Sequence, residues 1–362
     1  MSIEIFELMK THNQEQLAFY SDKELKLRAI LAIHSTALGP AIGGIRVYKY
    51  DSFDAALYEL ARLSKGMTYK TSAAGINLGG GYIVVIEQHG LEKNEAVFRS
   101  IGRFIQSLNG RFIAAEDIGV TDEYMEYMAM ETKHMTGFPF SVSGINGHSQ
   151  NCAYGVSIGL QAAAQYKWKS GNLSGKKIII QGYGRVGSRL AQLVKTLGAE
   201  VVVADINREK VTQAKKDGFT TIPADKVFTE KCHILSPCAV GPVISTEEKQ
   251  EFQCEIIAGS ANNQLSADDA DSLLKEKGIL YVPDFIVNAG ASINISEERL
   301  GGFYKKEEVI RKTEKIHDRL LEILHYADKH DLSPNQAAIQ YALKRIESIK
   351  GLKGVHINVA KS

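Results

Sequence analysis

The sequence offers little that would tie the chain to a membrane, a polyanion or an oxidising compartment. No run of about 18 uncharged apolar residues occurs, so no segment reads as a membrane span. The start, MSIEIFELMKTHNQEQ, lacks a basic stretch followed by an apolar run and does not read as a signal peptide. There is no charge excess: 43 basic against 42 acidic residues leave a formal net charge of +1. That balance gives no electrostatic footprint for nucleic acid. Cysteine is scarce, and Cys152, Cys232, Cys238 and Cys254 form neither a C-x-x-C pair nor a zinc spacing. No metal is expected, and reduced thiols in a cytoplasmic protein are the reading. Internal repeats and low-complexity tracts are absent as well.

What is present is an ordinary globular composition, 44% hydrophobic and 23% charged, at a length of 362 residues that suits two domains. Strand and helix signals alternate. LRAILAIHS (27–35), GGIRVYKY (43–50), YIVVIE (82–87) and RFIAAED (111–117) read as strands. DSFDAALYELARLSKGM (51–67) reads as a helix capped by Asp51 or Ser52, NEAVFRSIGRFIQSLNG (94–110) as a helix closed by Gly110 at C′, and a further helix is expected near 122–132. In GINLGGGYIVV (75–85), Gly79-Gly80-Gly81 reads as a turn and Tyr82 as the first strand residue, next to where a ligand would approach. TGFPFSVSGINGHSQN (136–151) reads as a hinge loop.

Beyond the hinge, strands are expected at KKIIIQ (176–181), EVVVAD (200–205), CHILSP (232–237), EIIAGS (255–260) and GILYVPD (278–284), with a helix at about 184–197. Such alternation predicts an α/β fold with a mostly parallel sheet covered on both faces. A long amphipathic helix over roughly 304–327 carries Val309, Thr313, Ile316, Leu320, Ile323 and Ala327 on one stripe. Ser333 caps a last helix that has Pro334 at its first position.

KKIIIQGYGRVGSRLAQLVKTLGAEVVVAD holds a dinucleotide fingerprint in its proper setting, after a strand and opening a helix. Gly182 permits the tight turn, Gly184 the approach of a pyrophosphate, and Gly187 close helix packing. Arg185 and Val186 open the helix whose free N–H groups would face the phosphates. Asp205, at the end of the next strand, would accept from the ribose hydroxyls and repel a 2′-phosphate. The reading is therefore a Rossmann domain that takes NAD rather than NADP, with Arg208 nearby weakening the preference.

Six stretches in order, LGPAIGGIRV (38–47), SKGMTYK (64–70), AAGINLGG (73–80), AAEDIGVT (114–121), AGSANNQL (258–265) and PDFIVNAG (283–290), resemble the Glu/Leu/Phe/Val amino-acid dehydrogenases, and the leucine enzymes most closely. The resemblance extends to about residue 350. It implies a substrate-binding and oligomerisation domain over 1–140, a Rossmann NAD-binding domain over 145–328, and a C-terminal helical segment, 329–362, that returns to the first domain. It also implies a homo-oligomer and a cleft that closes over a small amino-acid-like substrate. The implied chemistry is reversible oxidative deamination: hydride passes from Cα to NAD and water hydrolyses the imine. Carried over residue by residue, Gly43, Gly44 and Lys70 would hold the substrate carboxylate. Asp117 would exchange protons with nitrogen and water. Asn262 or Asn263 would orient the amine and the nicotinamide, and Thr136, Cys152 and Asn288 would lie near the cofactor. Ile42, Ala115, Ser292 and Ile295 match positions of the side-chain pocket.

One departure falls on the reacting centre. The family pattern after the glycines is G-G-A-K, and here it is Gly79-Gly80-Gly81-Tyr82. The family lysine at that position polarises the oxygen on Cα and activates water, and losing such a group costs about 10²–10³ in rate. A phenol with a pKa of about 10 donates a hydrogen bond at neutral pH but carries no charge. Tyr82 either fills the lysine's space or donates to a substrate oxygen or imine nitrogen. Cys152 for a threonine, Ala291 for a glycine, Ser292 for an aliphatic residue and His148 for a proline are the other departures. Cys152 reads as a small buried hydrophobe, and His148 as an exposed loop residue or a new acid or base. Three outcomes follow from the resemblance: a leucine-dehydrogenase-like enzyme with impaired deamination, an NAD-dependent oxidoreductase acting on an imine or related substrate without hydrolysis, or a catalytically silent NAD- or amino-acid-binding homologue.

Overall fold

The computed structural model describes residues 4–87, 90–137, 147–245, 251–267, 269–299 and 304–350. Two sheets organise them. The first contains β1 (Gln16–Asp22), β2 (Leu27–Ser35), β3 (Ala41–Tyr48), β4 (Gly79–Ile86) and β5 (Phe112–Glu116) in the order β1-β2-β4-β3-β5. Among these helices and strands, α1 (Ile5–Thr11) precedes β1, α2 (Phe53–Ala73) joins β3 to β4, α3 (Glu95–Ser107) joins β4 to β5, and α4 (Asp122–Ala129) follows β5. This sheet is mixed rather than mostly parallel: β1 and β4 run antiparallel to β2, while β4 and β5 run parallel to β3. The helices α1 and α2 cover one face through Leu8, Leu57, Leu60 and Ala61. The helices α3 and α4 cover the other through Phe98, Ile101, Ile105, Met125 and Met128.

Gly79, Gly80 and Gly81 are not a turn. They are the first three residues of β4, and the tyrosine sits inside the strand. The reason is packing. A Cβ on Gly80 would stand 2.1 Å from the Thr68 backbone nitrogen of α2, and one on Gly79 2.0 Å from the Ser35 carbonyl oxygen. The glycines bring α2 and β2 against the strand, which draws Lys70, two residues past Thr68 on α2, towards its end. Ser52, rather than Asp51, caps α2, its Oγ accepting from Ala55 N at 3.0 Å. At the end of α3 the first left-handed residue is Asn109 (φ 47°), with Gly110 (φ 81°) one position later.

The second sheet is parallel throughout. It contains β6 (Lys177–Gln181), β7 (Glu200–Ala204), β8 (Thr220–Thr221), β9 (Ile234–Pro237), β10 (Ile256–Ile257) and β11 (Leu280–Tyr281) in the order β11-β10-β9-β6-β7-β8. Its helices are α5 (His148–Trp168), α6 (Arg185–Thr196), α7 (Arg208–Lys216), α8 (Asp271–Glu276), α9 (Asp284–Val287), α10 (Gly290–Arg299) and α11 (Lys306–Lys329). The molecule is thus a two-domain α/β protein whose second domain is a doubly wound Rossmann sheet. Of the proposed hinge 136–151, residues 138–146 lie outside the described residues, and 148–151 already belong to α5. The long helix stripe is buried as read: Val309, Thr313, Ile316, Leu320, Ile323 and Ala327 all face the core.

The last helix, α12 (Pro334–Lys350), leaves the second sheet and packs on α2. Ser333 and Gln336 form a reciprocal cap, with Gln336 N donating to Ser333 Oγ (3.3 Å) and Ser333 N to Gln336 Oε1 (3.0 Å). Ser72 Oγ donates to the Ala342 carbonyl at 2.7 Å, and Arg345 donates to the Ile76 carbonyl at 2.9 Å and to Asn77 Oδ1 at 2.5 Å.

Candidate functional site between the two domains

The cleft is built on one face of the first sheet. Side chains alternate along a strand, so Ile42, Gly44 and Arg46 of β3 share the α2 side with Tyr82 of β4. Gly43 allows close strand approach: a Cβ there would lie 1.7 Å from the Gly81 carbonyl oxygen. Gly44 makes room for two side chains. A Cβ on it would be 2.6 Å from Tyr82 Oη and 2.8 Å from Asp117 Cβ.

Tyr82 is buried (3% exposed) beneath α2, its hydroxyl beside the Asp117 carboxylate. Arg46 ties this corner together. Its Nε donates to Asp117 Oδ2 at 2.6 Å, its NH1 to Glu59 Oε1 at 2.6 Å, and its guanidinium lies 5.8 Å from the centre of the Tyr82 ring. Burial, reinforced by the Asp117 charge, pushes the Tyr82 hydroxyl well above its ordinary pKa. It is a neutral donor across the physiological range. Arg46 was not singled out from sequence, yet a charged residue inside the apolar run AIGGIRVY is a signal that a buried partner exists.

Lys70 occupies the last turn of α2 and is buried (7% exposed), with Nζ donating to Asn262 Oδ1 at 2.8 Å. Burial lowers its pKa, and nearby Cys152, Asp284 and Asp117 oppose that shift. Of the two candidate asparagines, Asn262 is the one brought to Lys70. Asn263 adopts a left-handed backbone (φ 52°) and turns away to line a cavity of about 200 Å³ with Arg62, Tyr69 and Phe285. Asn288 Nδ2 donates to Asn262 Oδ1 (3.0 Å) and to the Ser260 carbonyl (3.2 Å). The Cys152 thiol, pushed up to about 12 by burial, donates to the Asn288 carbonyl at 3.6 Å. Ile42, Ala115 and Ile295 meet, together with Ile113, in one small apolar cluster. Ser292 lies on the same helix as Ile295 and is buried. Thr136 Oγ1 donates to Glu298 Oε2 at 3.2 Å.

His148 is not an exposed loop residue. It is the first residue of α5, and its side chain is 12% exposed.

The glycine fingerprint has the geometry its chemistry needs. Gly182 has φ 98°, a conformation that favours glycine. A Cβ on Gly187 would lie 2.0 Å from the Gly182 carbonyl oxygen, so α6 can start directly against the turn. Gly184 is the residue before α6 and Arg185 its first residue, so their backbone N–H groups lie where a pyrophosphate would sit. Val186 is half-buried against the core. The Arg185 guanidinium reaches across to the first domain, to Glu116 Oε2 (2.6 Å) and Asp122 Oδ1 (3.6 Å). Asp205 directly follows β7 and accepts from Tyr183 N (2.7 Å) and Asn207 N (2.8 Å). Deeper in the cleft, Asn288 Oδ1 is buried and has no hydrogen-bond partner among the described residues. An unpaired acceptor there is costly unless a ligand donates to it. A nicotinamide carboxamide would do so, so the residues present fit a nicotinamide dinucleotide. Among the described residues no group of three or more His, Cys, Asp or Glu side chains could hold a metal ion. No helix among them is long and apolar enough to cross a membrane.

Comparison with known proteins agrees with this geometry. The family profile for the Glu/Leu/Phe/Val dehydrogenase dimerisation domain matches residues 15–134, and that for the Glutamate/Leucine/Phenylalanine/Valine dehydrogenases matches residues 203–354. An NAD-binding-domain profile of D-isomer specific 2-hydroxyacid dehydrogenases matches residues 150–242. The chain is 41% identical to the leucine dehydrogenase of Thermoactinomyces intermedius, over 96% of this chain and 95% of that one. It is 39% identical to the phenylalanine dehydrogenase of the same organism, over 97% and 96%. Among solved structures, L-tryptophan dehydrogenase from Nostoc punctiforme superposes with a TM-score of 0.76 at 35% identity, covering 95% of this chain and 99% of that one. Two profiles and nearly full-length relatives above 30% identity place the chain in the Glu/Leu/Phe/Val dehydrogenase family of nicotinamide-dependent amino-acid dehydrogenases.

Proposed function

We propose that this protein transfers hydride between NAD and the Cα–N bond of an amino acid, and that its hydrolytic half-reaction is weak. The observation that carries the reading is the neutral, buried Tyr82 hydroxyl beside Asp117, at the position where the family pattern has a lysine. Lys70 would hold the substrate carboxylate, giving up Asn262 Oδ1 or sharing it. Asp117, held by Arg46, would take the proton released as the amine becomes an imine, and Tyr82 would donate to the nitrogen or to Asp117. Asn288 would orient the carboxamide of the cofactor, and the start of α6 would hold its phosphates. Bound NAD supplies the hydride acceptor. Position 82 itself carries no cation to polarise the oxygen added by water, and a neutral phenol stabilises that developing charge less than a buried ammonium does.

The preference for NAD over NADP rests on Asp205, whose carboxylate would repel a 2′-phosphate. Cofactor titration by calorimetry tests it, and equal or tighter binding of NADP would overturn it. We also take the domain limits near 140–145 and 329, and a homo-oligomer, from the family. The function is tested by two rates. The protein should reduce a preformed cyclic imino acid with NADH, yet release little 2-oxo acid from L-leucine and NAD at alkaline pH. Leucine turnover in the ordinary range of ~1–10³ s⁻¹ would overturn the reading.

A further inference from the structure

An amino-acid substrate leaves open which side chain the cleft accepts, and the answer drawn here rests on that reading. The expected side-chain pocket is apolar at Ile42, Ile113, Ala115 and Ile295. Its border is not. Ile295 and Glu298 are three residues apart and so neighbour one another on the surface of α10. The Glu298 carboxylate accepts from Thr136 Oγ1 (3.2 Å) and Gly137 N (3.4 Å). Gly137 itself borders the pocket, since a Cβ on it would lie 3.7 Å from Ala115 Cβ and 3.9 Å from Ile295 Cδ1. Across from the carboxylate stands His148, with Nε2 3.7 Å from Glu298 Oε2.

The hydrogen bonds around His148 fix its proton. The Tyr304 hydroxyl donates to Asn294 Oδ1 at 2.6 Å, so the Asn294 amide nitrogen is the atom facing His148 Nδ1, at 2.9 Å. An amide nitrogen only donates, so Nδ1 accepts and the neutral ring carries its proton on Nε2. Burial keeps the ring neutral by lowering its pKa, with Glu298 opposing in part. The Nε2–H is buried and has no partner among the described residues, because 3.7 Å to Glu298 is too long for a hydrogen bond. Both side chains retain about one-eighth of their exposure (12% and 13%), so the pair is not sealed in the core.

An unpaired donor beside an acceptor carboxylate suits a group that offers both functions. A carboxamide or hydroxyl oxygen accepts from Nε2–H, and its own N–H or O–H donates to Glu298. An apolar side chain leaves Nε2–H unpaired, a cationic one satisfies Glu298 but gives Nε2–H no acceptor, and a carboxylate accepts from Nε2–H but meets the like charge of Glu298. We infer that His148 and Glu298 determine specificity, selecting a neutral amino acid whose side chain ends in a carboxamide or hydroxyl.

The test compares L-glutamine with L-methionine, two unbranched side chains of similar length that differ in the polar end. Binding to the NADH-saturated protein is measured by calorimetry, in the wild type and in His148→Leu. The wild type should prefer glutamine at least tenfold, or about 1.4 kcal/mol, and His148→Leu should bring the two ligands within about twofold while NADH affinity stays unchanged. Unchanged NADH affinity shows that the variant is folded; if it is not, the wild-type comparison decides alone. Methionine binding as tightly as glutamine, or a preference that survives in folded His148→Leu, overturns the inference and leaves the amino-acid reading standing. Binding of neither amino acid overturns both.

Discussion

Replacing Gly44 by alanine puts a methyl group where the cleft has no space for one. The added carbon would stand 2.6 Å from Tyr82 Oη, 2.8 Å from the ring carbon that bears it and 2.8 Å from Asp117 Cβ. Carbon contacts settle at about 3.5–4.0 Å, so three atoms are overlapped at once. None gives way easily. Tyr82 is packed with Leu60 and Ala61 in one buried cluster, and Asp117 is held by Arg46 at 2.6 Å. Overpacking of this kind destabilises by about 1–3 kcal/mol, and three overlaps put Gly44→Ala in the upper half of that range. Urea denaturation reads the effect as a lower midpoint at unchanged slope. The same change made in a Tyr82→Ala background should cost clearly less, since two of the three overlaps are with the tyrosine and only the one with Asp117 Cβ remains. Equal destabilisation in both backgrounds would refute the placement of the Tyr82 hydroxyl against Gly44, and with it the geometry of the proposed proton donor.

Two further predictions concern titration. His34 is buried against Thr68 (Nδ1 to Oγ1 2.9 Å), and its pKa is lowered from 6.5 to about 4, first by burial and then by Lys65 and His12. A base whose folded pKa is depressed stabilises fully above its unfolded pKa and loses that contribution as pH falls. Stability should therefore drop by about 3 kcal/mol between pH 6.5 and 4 on this account, and His34→Gln should flatten that window; an unchanged slope in the variant would contradict it. Lys70 must be protonated to hold a carboxylate, and burial brings its pKa below 10.5. Affinity for a carboxylate ligand should therefore fall with rising pH before 10.5 is reached, and Lys70→Ala should abolish it with NAD affinity within a few-fold. Carboxylate binding that is as tight without Lys70 would remove its anchor role.

The parts of the fold that sequence made legible are those where one local rule decides. LRAILAIHS becomes β2 over the same residues, because a β-branched and aliphatic run bounded by polar residues has one good option. The stripe of α11 and the Ser333–Pro334 start of α12 follow from periodicity and capping alone. The glycine fingerprint is legible because its turn and its close packing both require glycine. What stayed hidden depends on partners distant in sequence. The strand Gly79–Ile86 looks like a turn until Thr68 and Ser35 are seen against it. The helix α5 has no clear sequence signature because eleven of its residues are buried, including Ala162, Ala163 and Ala164, which leaves little polar contrast. Asn262 and Asn263 are alike in sequence, and the left-handed backbone at Asn263 separates them. The His148–Asn294–Tyr304 chain joins residues 146 and 10 positions apart and has no sequence signature.

NADH formation from L-leucine by the wild type and by Tyr82→Lys, at alkaline pH and matched enzyme concentration, tests the central claim most directly. With Lys70, Asp117 and the start of α6 in the roles proposed for them, a lysine at position 82 should raise leucine deamination by about 10²–10³ over a slow wild type. The other departures from the family pattern, Cys152, Ala291 and Ser292, would hold the gain towards the lower figure. Wild-type turnover of ~1–10³ s⁻¹, with no gain in Tyr82→Lys, would contradict the account, because the neutral tyrosine would then be doing all that deamination requires.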